Sequence, residues 1–131
     1  MTDQRPQRIL IVEDHPDSSA ILQRLLQRCG FEVSAAATVA EALRLAGEEN
    51  ALPFQLLISD LGLPDGTGYE LMQKLRAQYS LPGIALSGYS QIEDVRRALE
   101  AGFSRHLTKP IDFEILKVAI DELLDQSITA S

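Results

Sequence analysis

Five polar side chains stand where apolar runs of this chain end. Glu13 and Asp14 follow "RILIV", Asp60 follows "LLIS", Ser87 follows "GIAL", and Lys109 closes "SRHLTK" directly before Pro110. Three carboxylates brought together repel one another, so such a site calls for a divalent cation. Oxygen donors without a nearby Cys favour Mg²⁺ or Mn²⁺ over zinc, with His15 read as exposed at the loop rim and off the cluster. Mg²⁺ is commonly shared between carboxylates and phosphate oxygens. A phosphoryl group would then meet the metal on one side and Lys109 with the Ser87 hydroxyl on the other. That set suits phosphoryl transfer, where positioning and charge neutralisation dominate, with Asp60 as the nucleophile that becomes an aspartyl phosphate.

These residues can meet only if the elements before them run side by side. Strands are expected at Arg8–Glu13, Glu32–Ala37, Phe54–Ser59, Gly83–Gly88 and Ser104–Lys109. The first, third and fourth are nearly continuously apolar, as strands covered on both faces should be. Helices fill the gaps. "SSAILQRLLQRCG" sets Ala20, Ile21, Leu25, Leu26 and Cys29 at helical spacing and stops at Gly30. Thr38 with Glu41, Thr67 with Glu70 and Ser90 with Glu93 read as capping boxes, and Asp112 as the cap of the last helix. In that helix Ile115, Leu116, Ala119 and Leu123 form the expected core stripe, widened by Phe113, Ile120 and Leu124. The wider stripe points to a protein contact, such as a homodimer through the fourth and fifth helices, or to packing beneath a neighbouring loop. Five β-α repeats predict an α/β fold, a parallel sheet with helices on both faces. In such sheets ligands bind beyond the carboxyl ends of the strands, where all five side chains fall.

Composition narrows the classes. The chain has 131 residues, which fits a single domain over 1–131 with its core at about 8–125. A net charge of −7 lacks the basic footprint that direct nucleic-acid binding needs. No apolar stretch reaches transmembrane length, and "MTDQRPQR" lacks a signal-peptide core, so a cytoplasmic protein is expected, away from membranes. Cys29, the single cysteine, is expected to be a small buried hydrophobe.

With Glu13-Asp14, Asp60, Ser87 and Lys109-Pro110 in place, and "DLGLPDGTG" after the third strand, the chain resembles the receiver domain of two-component response regulators. The resemblance covers roughly Arg8 to Asp125. It implies a flavodoxin-like (βα)5 doubly wound sheet of strand order 2-1-3-4-5. It implies that Asp60 is the phosphoacceptor and that Mg²⁺ is held by Glu13, Asp14, Asp60 and the backbone carbonyl of Gly62. Ser87 and Lys109 would contact the phosphoryl group, and the Lys109–Pro110 peptide would be cis. A histidine kinase or histidine phosphotransfer domain would donate the phosphoryl group. Such a domain catalyses its own phosphorylation and dephosphorylation and is otherwise not an enzyme.

Several residues carry more specific expectations. His106 takes the place where receivers usually carry Tyr or Phe as a rotating switch residue, so a weakened or different switch is expected. Gly62 and Tyr89 flank the path of hydrolytic water in this family. With Tyr89 as a shield, slow self-dephosphorylation is expected; otherwise Tyr89 is a partly exposed loop aromatic. The stretches "DLGLPDGTGYEL" and "GFSRHLTKPID" resemble receivers fused to hybrid histidine kinases, so the expectation is either a stand-alone receiver or, preferred slightly, one excised from such a longer protein.

Rival readings meet specific obstacles. A phosphatase of the haloacid dehalogenase type needs a second Asp where Gly62 stands. A P-loop nucleotidase needs G-x-x-x-x-G-K-[ST], absent here. A flavodoxin needs a phosphate cradle where "VEDHPDSS" places carboxylates. The remaining alternative is a pseudo-receiver, an interaction module that is not phosphorylated.

Overall fold

The computed structural model describes residues 6–48, 53–88 and 92–129. The strands β1 (Arg8–Val12), β2 (Glu32–Ala36), β3 (Leu56–Asp60), β6 (Gly83–Ser87) and β7 (Arg105–Thr108) form one sheet of order β2-β1-β3-β6-β7. Every pairing in it is parallel. Two dipeptides after β3, β4 (Gly62–Leu63) and β5 (Gly66–Thr67), make a separate antiparallel clip. With that clip set aside, the order is the expected 2-1-3-4-5, a flavodoxin-like fold.

The near-continuous apolar runs follow from two-sided burial. Successive side chains of a strand point to opposite faces. Leu10, Val12, Leu57 and Ala85 face one core with Ala42, Leu71, Met72, Leu75 and Ala98. These come from α2 (Val39–Ala46), α3 (Gly68–Gln78) and α4 (Ile92–Ala101). Ile9, Ile11, Leu56, Ile58, Ile84 and Leu86 face the other, with Leu26 of α1 (Pro16–Arg28) and Leu116, Ile120 and Leu123 of α5 (Phe113–Thr129). Each fully buried Leu or Ile contributes about 1.5–3 kcal/mol relative to exposure. The three central strands are therefore stiff mounts for whatever stands at their ends. Among the described residues, no helix is long and apolar enough to cross a membrane.

Helix starts follow the expected chemistry. Thr38 Oγ1 accepts from the Glu41 N–H at 3.0 Å, and Glu41 Oε1 reaches back to the Ala37 N–H at 2.9 Å. Thr67 Oγ1 accepts from the Glu70 N–H at 3.2 Å, and Asp112 Oδ1 from the Glu114 N–H at 2.9 Å. Ser90 lies outside the described residues.

Two helix faces differ from expectation. In α1 the inward positions are Ser19, Leu22 and Leu26, while Ile21 is 62% exposed and Cys29 is exposed rather than buried. Adjacent apolar pairs, Ile21-Leu22 and Leu25-Leu26, fit two neighbouring helix phases equally well, and contact with the sheet selects between them. Cys29 is the C-cap, past the last inward turn, with Gly30 closing the helix at φ +95°. In α5, Ile120 and Leu124 belong to the core, whereas Ile115 (57%) and Val118 (56%) are exposed.

Candidate functional site

Asp60 ends β3 and is 5% exposed, held at the mouth of the sheet between Leu61 and the buried Ser59. Its backbone is fixed from several sides. Ser59 Oγ donates to its carbonyl at 2.8 Å, and the Leu61 N–H donates to the Leu86 carbonyl at 3.0 Å. Gly68, the first residue of α3, donates its N–H to the Leu61 carbonyl at 2.8 Å. A Cβ on Gly68 would overlap the Asp60 carbonyl oxygen, so this close approach requires glycine. Asp65 pins the same loop outward, accepting from the Val39 and Ala40 N–H groups at the start of α2 at 2.8 and 3.0 Å.

The charged groups meet as expected. Lys109 Nζ, just past β7, lies 2.8 Å from Glu13 Oε1 and 2.8 Å from Asp60 Oδ1. Glu13 is 4% exposed, and Asp14 beside it is half-buried. The Lys109 N–H donates to the Ser87 carbonyl at 2.7 Å, and the Lys109–Pro110 peptide is cis. Gly62 opens the other side, since a Cβ there would meet nothing within 4 Å. The resulting cleft, about 410 Å³, is lined by Asp14, Asp60, Gly62, Ser87 and Lys109, with Tyr69 and Arg97 at its edge. Tyr89 lies outside the described residues.

His15 departs from expectation. It is exposed, yet its Nδ1 turns back to 3.2 Å from Glu13 Oε2 and 3.6 Å from Asp14 Oδ1. Its backbone N–H also donates to Glu13 Oε2 at 3.1 Å. Donor atoms of Glu13, Asp14, His15 and Asp60 all fall within 4.8 Å of one another. His15 therefore belongs to the cluster. As the N-cap of α1 it sits where the chain turns at the cleft, and its place in sequence does not reveal that the ring folds inward.

The electrostatics are those of two buried acids sharing one ammonium. Burial first, then the neighbouring Glu13 carboxylate, push Asp60 up to about 7 against the pull of Lys109. Burial would raise Glu13 as well, but hydrogen bonds from Asp60, Lys109 and the His15 N–H hold it down at about 2. Burial opposes the charge on Lys109, and the two carboxylates outweigh it, so its ammonium is held above the usual lysine range. Asp60 Oδ1 is buried and ion-paired with Lys109 Nζ at 2.8 Å. A hard divalent cation fits this donor set: it supplies the positive charge that Lys109 alone does not.

Ser87, at the end of β6, is buried, and its Oγ lies 3.1 Å from His106 Nε2 on β7. Ala85 pairs with His106, so Ser87 and His106 are diagonal neighbours on one face of the sheet. The Arg97 guanidinium stacks over the Tyr69 ring at 4.3 Å and links α4 to α3 at the cleft edge. Nothing in the sequence signals these contacts, which join residues far apart in the chain.

The model of the response regulator receiver domain matches residues 9–121. The chain belongs to the response regulator receiver domain family. A two-component response regulator of Arabidopsis thaliana, ARR11, is 31% identical over 121 residues, 92% of this chain and 23% of that protein. An uncharacterised 14.6 kDa protein of Leptolyngbya boryana is 41% identical over 107 residues, 79% of each chain. Among solved structures, a CheY-like receiver domain protein from Methanospirillum hungatei superposes with a TM-score of 0.87 at 32% identity, covering 96% of this chain and 99% of that one. Receivers of this family are signalling domains rather than classical enzymes, bind Mg²⁺ at an acidic pocket, and interact with histidine kinases or phosphotransfer proteins. This receiver chain spans about a quarter or less of several regulators that it matches.

Proposed function

We propose that this receiver, one domain over 1–131, carries a phosphoryl group on Asp60, taken from a phosphohistidine of a kinase or phosphotransfer partner. The observation that carries the reading is the position of Lys109 Nζ, 2.8 Å from both Glu13 and Asp60, with Gly62 leaving open space opposite. An Asp60 carboxylate oxygen attacks phosphorus; the phosphorus–nitrogen bond of the donor breaks, and the imidazole leaves with that electron pair. Lys109 and the Ser87 hydroxyl neutralise charge on the phosphoryl oxygens as the group arrives. Glu13, Asp14, Asp60 and the Gly62 carbonyl would hold Mg²⁺, which when bound neutralises phosphoryl charge on the opposite side.

Once Ser87 turns to the phosphoryl group, its contact with His106 must change, and His106 lies on the strand beneath α4 and α5. The output is therefore a rearrangement of the α4–β7–α5 face. There Ile115 and Val118 form an exposed apolar pair suited to a partner or a second copy. Binding to nucleic acid or membrane has no support in the chain, and we place the protein in the cytoplasm. The reading is tested by mixing the protein with a phosphohistidine-loaded phosphotransfer domain and MgCl₂. Label should pass to the wild-type chain and not to Asp60→Asn. Equal labelling of the two overturns it.

A further inference from the structure

We infer that Arg97 is a second phosphoryl-binding cation, stacked on Tyr69 in the free protein and drawn across the cleft once Asp60 carries a phosphoryl group. The inference rests on the phosphoacceptor role proposed above for Asp60 and deepens it. Asp60, Ser87 and Lys109 share their cleft with three residues that phosphoryl transfer as described does not use: Tyr69 of α3, and Asp94 and Arg97 of α4. Asp94 and Arg97 stand three positions apart, so they lie on one face of α4. That face runs beside Ala98 and Ala101, which anchor the helix to the core.

Lys109 is already shared. Its Nζ stands 2.8 Å from both Glu13 and Asp60, so it enters the reaction holding two carboxylates. Among the described residues lining the cleft, Arg97 is the other permanent cation. Its guanidinium lies 4.3 Å from the Tyr69 ring centroid and makes no ion pair among the described residues, not even with Asp94. Burial pushes the Tyr69 phenol above its usual range; Arg97 pulls against that and Asp94 adds to it, so the three groups feel one another at the cleft edge. A phosphoryl group brings negative charge and further acceptor oxygens into this cleft. A charge-assisted, two-pronged hydrogen bond from guanidinium to such oxygens outweighs a cation–π contact at an exposed site. The flexible arginine stem allows the swing while its head stays in the one cleft. Arg97 thus exchanges the ring for the phosphoryl group, and α4 loses its stack on α3 when Asp60 is modified.

The test uses the full chain with MgCl₂ and beryllofluoride, which binds a carboxylate oxygen in place of a phosphoryl group. Arg97→Met keeps the stem and removes the charge. By calorimetry at saturating Mg²⁺ it should weaken beryllofluoride binding about tenfold. Affinity for Mg²⁺ alone should hold or rise by up to about twofold, because a cation has left the cleft. Arg97→Lys should recover most of the beryllofluoride loss, since an ammonium also binds phosphate-like oxygens. In the wild type, the ring-current shift of the Arg97 δ-protons should vanish when beryllofluoride binds. Parallel weakening of Mg²⁺ and beryllofluoride in Arg97→Met, an unchanged beryllofluoride affinity, or a ring-current shift that persists overturns the inference while the phosphoacceptor role of Asp60 stands. A wild-type chain that binds Mg²⁺ but no beryllofluoride overturns both.

Discussion

Ser87 Oγ and His106 Nε2 lie 3.1 Å apart across the β6–β7 pair, so the hydroxyl at the cleft is tied to a titratable ring on the neighbouring strand. An aromatic hydrocarbon ring at that position could only follow the hydroxyl sterically, whereas the imidazole shares a proton with it. Phosphorylation that draws Ser87 toward the phosphoryl group should therefore be visible at His106. In side-chain nitrogen NMR, beryllofluoride with Mg²⁺ should shift the His106 ring signals. Ser87→Ala should shift them in the free protein and remove the response. An unchanged His106 spectrum on activation would contradict the coupling.

Lys109 should hold the metal-free site together. Removing it leaves Glu13 and Asp60 as neighbouring buried acids without a counter-charge. Lys109→Ala is expected to cost roughly 3 kcal/mol at pH 8, the low end for breaking a buried pair, because the Lys109 side chain is itself 30% exposed. Adding Asp60→Asn should recover much of that loss, read as a double-mutant cycle in urea with EDTA. Additive losses would show that the three groups do not interact.

Stability without metal should fall as pH rises. The Asp60 carboxyl is raised from 3.8 to about 7, so its contribution is complete below about 3.8 and is lost as pH climbs through about 7. Glu13 moves the other way, from 4.5 to about 2; its contribution is present above 4.5 and is lost only as pH falls through about 2. In EDTA, Asp60→Asn should thus be more stable than wild type at pH 8, with the gap narrowing toward pH 4. A gap independent of pH would count against the raised Asp60.

Two glycines near Asp60 should answer differently to alanine. Gly68→Ala places a Cβ on the Asp60 carbonyl and is expected to cost about 1–3 kcal/mol and to slow phosphorylation by displacing the acceptor. Gly62→Ala meets nothing within 4 Å and should leave stability within about 0.5 kcal/mol. Matching thermal shifts for the two variants would contradict this packing.

Much of the site was legible because topology does the positioning. Once β-α alternation is read, the ends of β1, β3, β6 and β7 must lie together, and Glu13, Asp60, Ser87 and Lys109 come with them. What escaped depends on rotation and on long-range approach. Whether Ile21 or Leu22, Ile115 or Ile120 faces inward turns on a helix phase that only contact with the sheet selects. The inward turn of His15 is a side-chain torsion, and the Asp65 cap on α2 joins residues 26 apart. The need for glycine at Gly68 carries no local signal, because the carbonyl that it must clear belongs to Asp60, eight positions earlier.

The central claim is that Asp60 accepts a phosphoryl group. Intact-mass spectrometry after incubation with acetyl phosphate and MgCl₂, with the modified peptide located by fragmentation, tests it most directly. The account predicts one phosphoryl group per chain, on Asp60, dependent on Mg²⁺ and absent from Asp60→Asn. A folded, Mg²⁺-binding protein that gains no phosphoryl group from acetyl phosphate or from any phosphohistidine donor would contradict it, leaving a pseudo-receiver.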